Sequence, residues 1–125
     1  MKNSNYFTDE VRERWGGTEA YRESERRTAN YSQSDWNALY DGMNDIMAGF
    51  AELNAEKVYP DSEQARLQVE KLRHFITEHM YTCTDDILAG LGQMYVEDVR
   101  FKKNIDKHGD GTAAYISKCI MYYCA

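Results

Sequence analysis

A chain of 125 residues is long enough for one domain with its own core and too short for two ordinary ones. Its 15 basic and 21 acidic residues leave a net charge of −6, which repels a polyanion and sets nucleic acid aside as a direct partner of this chain. Three cysteines without paired spacing speak against a disulfide framework and for a reducing, cytoplasmic setting, and no stretch approaches the ~20 apolar residues of a membrane span.

From the N-terminus, Thr8 can cap a short helix carrying Val11 and Trp15, which Gly16-Gly17 ends, and Thr18 can cap a second. Charge dominates this region: Asp9, Glu10, Glu13, Glu19, Glu23 and Glu25 alternate with Arg12, Arg14, Arg22, Arg26 and Arg27. Yet Trp15, Tyr21 and Tyr31 sit among them. So polar a segment can bury little of itself, which leaves three large rings in need of a surface to cover.

Ser32 followed by Asp35 resembles a capping box and opens the strongest periodic run in the chain. Trp36, Leu39, Tyr40, Met43, Ile46, Met47, Phe50 and Leu53 recur at three- and four-residue steps, which predicts one long helix with all of them on its core face. After the turn containing Pro60, Asp61 or Ser62 can cap a second long, antiparallel helix that buries Ala65, Val69, Leu72, Ile76 and Met80. Thr84 reads as the cap of a helix bearing Ile87, Leu88, Leu91, Met94 and Tyr95, and Asp98 as the start of another with Phe101 and Ile105 one turn apart. Gly109-Asp110-Gly111 breaks the chain before a last helix with Ile116, Ile120 and Tyr123. With no β-type alternation, the expected architecture is all-α, six or seven helices around one core.

The candidate chemistry is sparse. The segment DKHGDG, residues 106–111, has Asp at positions 1 and 5 and Gly at 6 of a calcium loop, but His108 stands at position 3 and Ser117 where a bidentate Glu is required, so it reads as a helix connector. His79 and Cys83, four apart, could share a helical face, yet His74 points elsewhere and no carboxylates complete a metal set. Cys83 also just precedes a helix start, where backbone N–H groups favour a thiolate; the alternative is a small buried hydrophobe. Trp15, Tyr21, Tyr31, Tyr81 and Tyr95 are the better site candidates, since such rings offer area and a polar tip at small entropic cost.

Taken together, EVRERWGGTEAYRESERRTANY (10–31), YTC (81–83), LGQMYVEDVRF (91–101) and TAAYI (112–116) resemble the TipAS-type thiopeptide-recognition domain, the C-terminal effector half of MerR-family drug-responsive regulators. The resemblance implies a globin-like bundle without haem. It also implies a cleft for bulky, flat peptide antibiotics, with residues 1–31 as a mobile lid over a core of residues 32–125. Residue by residue it implies Tyr81, Cys83, Ile87 and Gly90 in the cleft and Trp15, Tyr21 and Arg22 on the lid. His79 and Met94 flank these positions and join the candidate ligand-binding set. Relatives that trap dehydroalanine-bearing antibiotics carry a second cysteine where this chain has Gly90, so covalent capture at that position is excluded and reversible binding is expected. Neither a winged-helix domain nor a coiled coil is present in the sequence, which implies an excised effector domain or a stand-alone drug-sequestering form. No catalytic residue, metal or cofactor is expected. Two other readings stay open: a tetrapyrrole carrier using His74 or His79, and a Cys83-dependent enzyme acting on the bound drug.

Overall fold

Helix starts in the computed structural model, which describes residues 17–125, fall where a side chain can satisfy free backbone N–H groups. The elements are α1 (Glu19–Thr28), α2 (Gln33–Ala55), α3 (Glu63–His79), α4 (Asp85–Glu97), α5 (Val99–Asp106) and α6 (Thr112–Cys124), with no strand among the described residues. Thr18 accepts from the Tyr21 N–H at 3.1 Å, Ser62 from Ala65 at 3.2 Å and Thr84 from Ile87 at 3.3 Å, as their sequence positions predict. Both arms of the Ser32/Asp35 capping box are present, with Asp35 serving in place of Glu. The helix expected after Thr8, its Gly16 hinge and Trp15 lie outside the described residues.

α6 starts differently. Its cap position is Gly111, in the left-handed region at φ 83°, which has no side chain to offer. Asp106, the last residue of α5, substitutes: its Oδ1 accepts the Ala113 N–H at 2.9 Å while Oδ2 takes the Lys102 ammonium at 3.2 Å. DKHGDG is thus a connector whose first carboxylate caps the next helix. Asp106→Ala is expected to cost about 1 kcal/mol in urea denaturation, the usual worth of an N-cap, and Asp106→Asn appreciably less because the amide oxygen can still accept. Equal midpoints for all three proteins would show that the contact contributes nothing.

α2 and α3 run antiparallel and close together. A Cβ on Gly42 would come within 2.6 Å of the Phe75 ring, and one on Gly49 within 2.5 Å of the Gln68 amide, whose Nε2 instead donates to the Ile46 carbonyl at 3.0 Å. Near the other end of the pair, the Tyr115 hydroxyl donates to the Val58 carbonyl at 2.6 Å and ties α6 to the α2–α3 loop. Phe50, Leu72, Ile76, Leu88, Ile116 and Ile120, from α2, α3, α4 and α6, are fully buried at the centre, and α5 adds Phe101 and Ile105 to the core. Burying the apolar face of each contributes on the order of 25 cal/mol per Å² and fixes which faces meet. Trp36, Tyr40 and Leu53 depart from the expectation that the whole α2 stripe is core: all three stay partly exposed, Trp36 and Tyr40 in the first half of α2 and Leu53 near its end.

Candidate functional site

The unfilled end of the bundle is a cavity of about 250 Å³. Its floor and walls are Trp36, Leu39, Tyr40 and Met43 of α2, Ile76 and Met80 at the end of α3, Ile87, Leu91, Met94 and Tyr95 of α4, Tyr81 of the intervening loop and Phe101 of α5. Its roof is one face of α1, where Ala20, Tyr21, Ser24, Glu25 and Thr28 recur at helical spacing. The walls are rings, methionines and branched aliphatics, which fit large apolar ligands and can adapt to more than one shape. Tyr95 and Phe101 lie 5.9 Å apart, Trp36 stacks on Tyr40 at 6.0 Å, and the Tyr31 ring meets Trp36 edge-on at 5.3 Å.

α1 buries no side chain of its own and is held by polar contacts. Arg27 Nη2 donates to the carbonyls of Thr77 at 2.8 Å and Glu78 at 2.9 Å, and the Tyr31 hydroxyl donates to that of His79 at 2.5 Å. These are among the last carbonyls of α3, which the helix cannot satisfy internally, so the α1 segment acts as the C-terminal cap of α3. Glu23 completes the attachment by accepting from the Thr82 N–H at 3.1 Å, which together with Arg27 holds its carboxyl below the usual glutamate range.

Of the sequence-predicted residues, the structure brings Tyr21, Tyr81, Ile87 and Met94 together around one cavity. Burial pushes the Tyr81 phenol well above the ordinary tyrosine value, so it stays a neutral hydrogen-bonding group. The other candidates stand elsewhere. Arg22 is exposed and engaged by Glu19 and the Gly17 carbonyl. The His79 ring packs against Phe75 at 4.4 Å, and only its carbonyl serves the site margin. Gly90 is half-buried beside the lining face of α4 without belonging to it.

Of the two readings of Cys83, the structure has the small buried hydrophobe. It is 2% exposed, its N–H donates to the Thr77 hydroxyl at 3.1 Å, and its carbonyl takes Arg73 Nε at 2.9 Å. Burial raises its thiol from 9.0 to about 11, with Arg73 only partly opposing, so desolvation overrides the helix N-terminus that suggested a thiolate. The thiol does not border the cavity. Neither His74, paired with Glu78 on the surface, nor His79 borders it either, which leaves a tetrapyrrole without either expected ligand. Among the described residues no three His, Cys, Asp or Glu side chains are grouped as a metal would need.

The sequence reading missed Trp36, Leu39, Tyr40, Met43, Leu91 and Phe101 as lining residues because they share helical faces with the true core. The one available signal was an aromatic pair at the start of the α2 stripe, richer in rings than the rest of that face.

The model of the TipAS antibiotic-recognition domain matches residues 7–123. The chain is 39% identical over 115 residues to the HTH-type transcriptional activator TipA of Streptomyces coelicolor, covering 92% of this chain and 46% of that protein. To the HTH-type transcriptional activator mta of Bacillus subtilis it is 36% identical over 118 residues, covering 94% and 45%. It thus spans less than half the length of these relatives. In three dimensions it matches a solved structure of TipAS from Streptomyces lividans in complex with nosiheptide, with a TM-score of 0.85, 36% identity, and coverage of 98% of this chain and 86% of that one. The all-α, globin-like fold expected from the motifs is the fold of this match. No helix among the described residues is long and apolar enough to cross a membrane.

Proposed function

The chain belongs to the TipAS antibiotic-recognition family, and on that premise we propose that it binds thiopeptide-type antibiotics reversibly beneath α1, which serves as a lid. Such binding would make it the drug-sensing part of a transcriptional activator or a drug-sequestering resistance protein. The observation that carries the reading is an apolar, ring-lined cavity whose roof helix has no fully buried side chain and is tied down by hydrogen bonds to backbone carbonyls. At about 250 Å³ the cavity falls just below the roughly 300–1,000 Å³ typical of drug-sized sites, so a peptide macrocycle has to shift α1 to enter. Polar attachments to backbone carbonyls suit that role, because water can replace them when the lid opens and the ligand's apolar surface favours reclosure.

The test is binding of nosiheptide. At a free concentration of about 100 Kd, a ligand specific for the native state adds about 2.7 kcal/mol of stability and raises Tm accordingly. Backbone amides of α1 are expected to exchange faster than those of α2–α4 without ligand and to slow on its addition. An unchanged Tm with unchanged α1 exchange would overturn the proposal.

A further inference from the structure

Among the cavity's described lining residues, Glu25 is the only one whose side chain is charged at neutral pH. The remaining acids of α1 are committed elsewhere: Glu19 pairs with Arg22 at 3.2 Å and Arg26 at 3.3 Å, and Glu23 with Arg27 at 3.1 Å. All three arginines of the helix are therefore occupied. Glu25, one turn beyond Tyr21 on the cavity face, has no ion pair or hydrogen-bond partner among the described residues. It is exposed at the edge of the cavity, which the rings of Trp36, Tyr40, Tyr81 and Tyr95 also line.

A negative charge at the edge of a ring-lined cavity attracts a cation on two counts, through the carboxylate itself and through the negative faces of the rings. The surrounding methionines, leucines and isoleucines would penalise a small, strongly hydrated one, because its lost water would not be replaced. We propose that the cavity accepts bulky lipophilic cations, organic cations whose charge is wrapped in aromatic or alkyl groups, and that Glu25 is the residue that selects for them. The inference rests on the same ligand site as the thiopeptide reading and adds a second chemical class to it. The net charge of −6 draws cations and disfavours anions.

Tetraphenylphosphonium and tetraphenylborate test this directly, since they share shape and differ in sign. In calorimetric titrations at fixed ionic strength the phosphonium is expected to bind at least about tenfold more tightly than the borate. Glu25→Gln should weaken phosphonium binding about fivefold, the order of one charge pair at a water-exposed rim. Glu63→Gln removes the same formal charge outside the cavity and should leave that affinity unchanged. Glu25→Gln should also keep the urea midpoint of the parent protein, which shows that the variant is folded. Equal binding of the two ions, no binding of the phosphonium, or equal loss in the Glu25 and Glu63 variants overturns the proposal. Nosiheptide binding in those cases leaves the thiopeptide reading standing; selective phosphonium binding without nosiheptide binding supports the cation site and overturns the thiopeptide reading.

Discussion

Trp36→Ala is expected to weaken nosiheptide binding about 30-fold to 1,000-fold, equivalent to about 2–4 kcal/mol, the range for truncating a central aromatic anchor. The indole occupies a double position. It stacks with Tyr40 on the cavity wall and makes a T-shaped contact with the Tyr31 ring, whose hydroxyl donates to the carbonyl of His79. Removing it deletes part of the cavity wall and loosens the joint by which α1 is carried over the cavity. Because Trp36 is only partly buried and outside the fully buried core, the loss of stability should be smaller than that of a core truncation, which typically costs about 3–5 kcal/mol for a Trp. Trp36→Phe keeps a ring and should retain most of the affinity. Titration calorimetry with the urea midpoint measured in parallel separates the two effects, and an alanine variant that binds within about threefold of the parent would show that ligand does not reach this wall.

The caps were legible from sequence because each is a bond between residues two or three apart. Thr18, Ser32, Ser62, Thr84 and Asp98 all start helices where the chain order says they can. The buried faces were legible too, since Leu39, Met43, Ile46, Met47 and Phe50 follow from period alone. What periodicity cannot convey is whether the space facing an apolar stripe is filled. Trp36 and Phe50 lie on the same stripe, yet one looks into a cavity and the other into packed core, a difference made by α1, α4 and α5 and not by α2. The same limit hid the α2–α3 approach, where Gly42 and Gly49 matter only through Phe75 and Gln68. In the YTC segment, Tyr81 and Cys83 are two residues apart, but one reaches the cavity and the other is enclosed by α3, and sequence treats them alike.

That enclosure makes native stability fall steeply at alkaline pH. Cys83 and Cys119 are 2% and 1% exposed, and burial raises each thiol from 9.0 to about 11. Each is an acid whose native pKa lies above its unfolded value. Below about pH 9 both states hold the proton and the stabilisation is complete. Between about 9 and 11 the unfolded chain releases protons that the native state retains, so stability falls with rising pH by about 1.4 kcal/mol per pH unit for each thiol. Tyr115, raised by burial from 10.0 to about 12 and donating to the Val58 carbonyl, extends the decline upward. The two thiols together cost on the order of 5 kcal/mol across the window, comparable with the entire stability of many domains of this size. Urea midpoints at pH 8, 9.5 and 11 measure the slope directly. The Cys83→Ala, Cys119→Ala double variant should be less stable at pH 8, because two packed sulfurs are lost, and should show a shallower decline above pH 9. The comparison cancels the titration of exposed lysines and tyrosines, which both proteins share. Parallel pH profiles would show that the thiols ionise freely in the native state and that burial does not hold their protons.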